Sequence, residues 1–132
     1  MTGNRIVPGP SPDPETLPFW EAAARDRFVL PKCNQCGRVH WYPRGTCPFC
    51  LSSDIEWVAS EGLGVIYSCT VFRRADPPYV VAYVELDEGL RLLTNIVADD
   101  PEQTAIGQKV KVVFLPASGA SPQKVPFFTP IP

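Results

Sequence analysis

The rhythm of apolar and polar positions along this chain changes once, after Cys50. Before it, Leu17 to Arg25 carries a helical pattern, with Pro18 suited to the first turn and Phe19, Trp20, Ala23 and Ala24 able to share a face. So short a helix does not stand alone in water, so it must dock, and Phe19 and Trp20 are the residues to dock it. Phe28-Val29-Leu30 begins a short strand, and Val39-His40-Trp41-Tyr42-Pro43 reads as a further ribbon strand. Beyond Cys50 the period is two. Ile55–Ala59 leads through Gly62 and Gly64, which permit a sharp bend, into a long strand over Val65–Arg73. Tyr79–Leu86, the turn Asp87-Glu88-Gly89 and Arg91–Ala98 make a hairpin. Asp99–Gly107 is a connection with one helical turn starting at Asp100-Pro101, and Lys109–Leu115 alternates with Val110, Val112 and Phe114 inward. Gly119–Pro122 is a loop, and Pro126–Pro130 a terminal edge piece holding Phe127 and Phe128.

About five strands, with the first one bent and a connection before the last long one, suit a small Greek-key barrel of the OB type. Strand count alone leaves a small sandwich open. The expected fold is mainly β, an N-terminal helix and rubredoxin-like zinc ribbon followed by a five-stranded OB-fold barrel. Its expected parts are a Pro-rich extended arm over 1–14, the helix and four-cysteine ribbon over 15–54, and the barrel with its tail over 55–132.

Cysteine spacing sharpens the first half. Cys33-Asn34-Gln35-Cys36 and Cys47-Pro48-Phe49-Cys50 are two CxxC pairs ten residues apart, the ligand set of a tetrahedral all-thiolate site. Gly37 follows the first pair and permits the left-handed turn that aims backbone N–H groups at sulfur; the second pair has Leu51 there instead. One structural Zn2+ is the expected occupant, with iron in a rubredoxin-like site the alternative. Four protein ligands leave no open position, so the metal is expected to hold the fold and do no chemistry. A segment this small buries little core, and metal binding should supply much of its stability.

The formal charge is −2 and the sequence pI about 5.3, which argues against a general polyanion binder. Residues 1–50 carry +2 and the remainder −4, so the expected barrel is the acidic part. An OB barrel with Tyr67, Phe72, Tyr79 and Tyr83 admits a nucleic-acid-binding module as the alternative function. Single-strand binding calls for a basic groove, which this charge balance does not provide, so no nucleic-acid partner is expected. No apolar run approaches the ~20 residues of a membrane span, and residues 1–14 lack a secretion signal's apolar core, so no membrane partner and a cytoplasmic location are expected.

Catalysis by this chain is not expected. His40 is the one histidine and no triad motif adjoins it; Cys69 lies in a strand-like run with nothing nearby to activate it. Phe19/Trp20 and Phe127/Phe128, flanked by prolines, are candidate anchors for a protein partner. Arg73 and Arg74 are candidate contacts to coenzyme A phosphates, against the plainer reading of a solvated strand end.

Pro18-Phe19-Trp20-Glu21-Ala22, Cys33-x-x-Cys36-Gly37, Tyr42-Pro43-x-x-x-Cys47-Pro48-x-Cys50, Gly64-x-Ile66-Tyr67-Ser68, Tyr79-Val80-Val81-Ala82-x-Val84-Glu85-Leu86, Leu92-Leu93-Thr94-Asn95 and Ile106-Gly107-x-x-Val110-x-Val112-x-Phe114 occur in that order over about residues 15–130. In this the chain resembles the zinc-ribbon plus OB-fold, acyl-CoA-associated family long catalogued as a domain of unknown function. The resemblance implies a non-catalytic accessory subunit that binds and stabilises a thiolase-superfamily enzyme, a lipid-transfer-type thiolase or an aldolase, steroid side-chain degradation included. It implies a hetero-oligomer with that thiolase-like or aldolase subunit, or with a hydratase-like acyl-CoA subunit, and contact with acyl-CoA. Leu51 departs from the family's usual glycine, which bears on the knuckle's geometry and not on its ligands.

Overall fold

A computed structural model describes residues 6–119 and 122–132. The elements run α1 (Leu17–Ala23), β1 (Val29–Cys33), β2 (Ile55–Ala59), β3 (Leu63–Phe72), β4 (Tyr79–Leu86), β5 (Arg91–Ile96), a 3₁₀ turn (Pro101–Gln103), β6 (Lys109–Pro116) and β7 (Lys124–Pro130). The fold is mainly β with one short helix, and β3-β4-β5-β7-β6 close into a five-stranded barrel.

A turn from Asp13 to Thr16 leads into the helix at Leu17. The Asp13 carboxylate accepts from the Thr16 N–H at 3.0 Å while the Thr16 hydroxyl accepts from the Asp13 N–H at 3.1 Å, a reciprocal pairing that satisfies two donors at a helix start. The helix ends sooner than the sequence pattern suggests, because Asp26 turns into the left-handed region (φ 60°) while the N–H groups of Arg25 and Arg27 close on the Ala22 carbonyl. Seven residues cannot sustain a helix by propensity, and docking does the work: Phe19, Ala22 and Ala23 are buried. The loop before β7 holds the other end, with Gln123 Nε2 donating to the Trp20 carbonyl and Lys124 paired to Asp26.

β2 pairs antiparallel with β1, from Val29↔Ala59 to Cys33↔Ile55, in a two-stranded sheet separate from the barrel. The expected strand over 39–43 does not form. Val39 makes a single bridge to Lys32, and the rest of that run is irregular. Residues 1–5 of the expected arm lie outside the described residues; beyond them, Val7 and Ser118 exchange two hydrogen bonds at 2.7 Å.

In the barrel, β3 carries a bulge between Ile66 and Ser68, where its register against β4 shifts. Gly64 serves close packing, since a Cβ there would collide with the Glu85 carbonyl of β4. β7 is not the edge piece that its terminal position suggests. It pairs with β6 from Val110↔Pro130 to Pro116↔Lys124 and meets β5 in parallel at Ile96↔Phe128, so it closes the barrel.

That closure explains a second correction. Phe127 and Phe128 are 4% and 1% exposed, which makes them core residues rather than exposed anchors. Phe128 meets Phe28 edge-on at 6.0 Å, Phe28 meets Phe19 at 6.0 Å, and Phe19 meets Trp41 at 5.1 Å. This aromatic chain runs from barrel to helix to ribbon, and Phe19, Phe28 and Leu30 belong to the same buried cluster as Ile66, Val84 and Val110. One hydrophobic core therefore crosses the seam.

Candidate metal centre and the seam beside it

β1 delivers Cys33 into the first knuckle and β2 leaves the second, so the two-stranded sheet fixes where the knuckles meet. In the first, the Gly37 N–H donates to the Cys33 carbonyl at 2.9 Å; in the second, the Leu51 N–H donates to the Cys47 carbonyl at the same distance. Gly37 has φ 77° and Leu51 φ 67°. The leucine thus adopts the glycine's conformation, and its side chain, 77% exposed, gains no packing in return.

The four sulfurs lie within 4.8 Å of one another, with Cys33–Cys50 at 3.5 Å and Cys36–Cys47 at 3.6 Å. A tetrahedron of Zn–S bonds of about 2.3 Å has sulfur–sulfur edges of about 3.8 Å, so this donor set fits zinc. Backbone amides approach the sulfurs as well, from Cys36 to Cys33 at 3.5 Å and from Phe49 to Cys47 at 3.4 Å. The Cys36 amide, first, and the Cys50 thiol bring the Cys33 pKa down to about 7 against the effect of burial. At Cys50 the Ser52 amide lowers the pKa, but burial and the three neighbouring sulfurs reverse this and push it up to about 12. One sulfur gives up its proton while another holds on, because four thiolates this close repel. A bound dication would take the place of those protons, and Cys33, Cys36, Cys47 and Cys50 are the residues that would hold it.

His40 lies behind the knuckles, 2% exposed, with no hydrogen bond of good geometry to either ring nitrogen. Burial, first, and the charge of Arg44, second, hold its pKa below the ordinary value, outweighing the pull of the Arg44 carbonyl. A cation beside it is the opposite of the carboxylate that orients a catalytic histidine. Cys69, half-buried on β3, is far from the cluster in sequence and forms no part of it.

The remaining sequence candidates separate. Trp20 is half-buried and, with Trp41, Tyr42, Tyr79, Leu93 and the edge of Phe127, lines an apolar groove of about 590 Å³ where the ribbon meets the barrel. Phe19 and Phe128 form its floor from the core. Arg73 is held by Glu102 through two bonds of 2.7 and 2.6 Å, while Arg74 is exposed. That pair draws on the 3₁₀ turn, whose start Asp100 caps by accepting from the Glu102 N–H. Sequence reasoning passed over Tyr42, Tyr79 and Leu93 as groove residues. One signal was present: β4 reads Tyr-Val-Val-Ala-Tyr-Val, apolar on both faces, which a strand with one solvated face does not require.

A closed four-cysteine ribbon joined to a five-stranded Greek-key barrel defines a two-part zinc-ribbon/OB-fold protein. Family models agree: the ChsH2 rubredoxin-like zinc ribbon matches residues 20–56, and the ChsH2 C-terminal OB-fold domain matches residues 57–115. The chain belongs to the DUF35 family of zinc-ribbon plus OB-fold proteins. A "DUF35 domain-containing scaffold protein" of Methanothermobacter thermautotrophicus is 40% identical over 76% of this chain and 81% of its own length. A "Probable enoyl-CoA hydratase alpha subunit" of Thermomonospora curvata is also 40% identical, over 75% of this chain, which spans only 33% of that larger protein. Among solved structures, the "Ltp2-ChsH2(DUF35) aldolase" contains a chain with a TM-score of 0.81 and 35% identity, covering 92% of this chain and 98% of that one. Among the described residues no helix is long and apolar enough to cross a membrane.

Proposed function

We propose that this chain is a non-catalytic accessory subunit that binds and stabilises a thiolase-superfamily acyl-CoA enzyme, a lipid-transfer-type thiolase or an aldolase, with one structural zinc in its ribbon. The observation that carries the reading is the likeness, over nearly the whole of both chains, to a chain of an aldolase assembly. The chemistry of the chain points the same way. Its metal ligands are all protein side chains, which leaves no position for substrate, and its histidine is buried beside a cation. The relative called a scaffold protein supports a structural role, and the one called a hydratase subunit supports a hydratase-like partner as the variant of the same theme.

The apolar groove at the seam gives such a partner a place to hold. Trp20, Trp41, Tyr42 and Tyr79 are large, stiff side chains of the kind that dominate interface energetics. Sterol or other lipid side-chain cleavage is the setting we favour for the partner.

Co-expression of the chain with a thiolase-superfamily enzyme encoded beside it tests the reading. A stable complex by size exclusion is expected, with the partner losing solubility or activity when this chain is left out. Two independently eluting, fully active proteins would contradict it. The nucleic-acid alternative predicts salt-dependent binding to single-stranded oligonucleotides, which this reading does not.

A further inference from the structure

β3 is ten residues long, and its two halves have different neighbours. Leu63–Val65 lies between β4 and β6, pairing with β6 from Leu63↔Lys111 to Val65↔Lys109. The bulge at Ile66–Ser68 ends that arrangement. Beyond it, Ser68 to Phe72 pairs with β4 alone, from Ser68↔Tyr83 to Phe72↔Tyr79. The other edge of this half is open.

Alternation fixes which backbone groups that edge presents. The Asp87 N–H, just past the end of β4, donates to the Leu63 carbonyl, so the groups of Tyr83, Val81 and Tyr79 also point toward β3. Their partners Ser68, Thr70 and Phe72 point back, which turns the N–H and C=O groups of Cys69 and Val71 away from β4. Those groups have no hydrogen-bond partner among the described residues. Natural edge strands are guarded by charge or proline. Ser68-Cys69-Thr70-Val71-Phe72 contains neither.

The segment also matches itself. Turned antiparallel about Thr70, it sets Thr70 against Thr70, Cys69 against Val71 and Ser68 against Phe72 of a second copy. Cys69 and Val71 then exchange both of their N–H···O bonds, and Thr70 falls in a non-hydrogen-bonded pair, where side chains are closest. Opposite residues share a face, so Phe72 of the second copy lands over Ser68 on the outer face of the sheet. An apolar hollow of about 240 Å³ opens there, lined by Ser68, Thr70, Val81, Tyr83 and Leu93. Phe72 is an exposed ring, tilted against Tyr79 at 5.3 Å. Like charges stay apart. Arg73 is held by Glu102, and its counterpart lies about 20 Å away along the pair, well beyond the roughly 8 Å over which salt screens.

We propose that the open half of β3 is a docking surface for a second copy of this chain, paired antiparallel across a two-fold axis at Thr70, with Phe72 of each copy seated in the hollow of the other. Such a pair uses one patch twice and closes, so it gives a dimer and no filament. No β3 residue lines the apolar groove at the seam, so this pairing is independent of the accessory-subunit reading.

Sedimentation equilibrium of the zinc-loaded full chain, from about 10 µM to about 1 mM, tests the pairing. A reversible monomer–dimer equilibrium is expected. Thr70 is exposed, so charged residues are tolerated there by the fold. Thr70→Lys and Thr70→Glu each set like charges opposite one another and are expected to weaken pairing by about fivefold or more. Mixed in equal amounts, the two variants are expected to associate again, as heterodimers at least as tight as the wild-type pair. Phe72→Ala empties both hollows and is expected to weaken pairing by about tenfold or more. In hydrogen exchange the Cys69 and Val71 amides are expected to slow as concentration rises, while the Thr70 amide is protected throughout. Zinc content and circular dichroism check that each variant is folded. A wild type that stays monomeric to about 1 mM would overturn the assignment, as would Thr70 variants that dimerise like it or fail to rescue one another. Slow exchange at Cys69 and Val71 only when a different protein is bound would give the edge to that partner's strand and overturn the second-copy assignment.

Discussion

The ribbon and the barrel are adjacent in space and share a core, yet they are stabilised by different means. The barrel closes on itself through paired strands, and its interior, from Ile66 through Val84 and Val110 to Phe128, is filled by side chains. The ribbon has two five-residue strands, one bridge and two knuckles, with few apolar residues between Cys33 and Cys50 to bury. Its four clustered cysteines are suited to a metal, while its outer residues Phe19, Phe28 and Leu30 are lent to the barrel's core. A metal at the knuckles would therefore act at a distance: by holding them it would hold β1 and the helix against the barrel.

Breaking the metal site should give the largest effect. Cys47→Ser removes a ligand whose site is worth roughly 10–16 kcal/mol in small zinc modules, comparable to the roughly 5–15 kcal/mol net stability of a typical domain. Loss of zinc and of ribbon structure is expected by elemental analysis and nuclear magnetic resonance, with the barrel's β signal weakened but present. Breaking the shared core comes next. Phe128→Ala should cost about 3–5 kcal/mol and, because Phe28 and Phe19 stack from it, destabilise both halves in one thermal transition. Two separate transitions would show that the halves are not coupled.

A smaller effect follows from His40. Its folded-state pKa is depressed, so the unfolded chain takes up a proton that the folded chain refuses. Above the ordinary histidine pKa the group contributes nothing to the pH dependence; as pH falls below it, toward the depressed folded value, stability declines. The drop in melting temperature between pH 7.5 and 5.5 should be shallower in His40→Gln than in wild type, metal release being common to both. The smallest effect sharpens the contrast between the knuckles. Leu51→Gly relieves a left-handed leucine and should stabilise the metal-loaded protein by about 0.5–1 kcal/mol, while Gly37→Leu should destabilise it.

Much of this was legible in the sequence, and the misses have a common cause. β2 and β4 match the expected strands residue for residue, because short runs rich in β-branched and aromatic residues, bounded by turn residues, are a local signal. The clustering of the four cysteines was legible because CxxC spacing encodes the knuckle itself. Phe127 and Phe128 were misread as exposed because a terminal strand next to prolines gives no local sign that two other strands will flank it. The strand expected over 39–43 had suitable residues but no neighbour to pair with beyond Lys32. The apolar groove at the seam draws Trp20 from the helix, Tyr79 from β4 and Leu93 from β5, a convergence that no window of sequence contains.

A metal-loaded four-cysteine centre should brace the seam between ribbon and barrel. Thermal unfolding of the zinc-loaded chain, before and after a strong chelator, tests it most directly. One cooperative transition is expected when loaded, and a midpoint lower by more than about 15 °C once the metal is stripped. An unchanged midpoint with the metal demonstrably gone would contradict it.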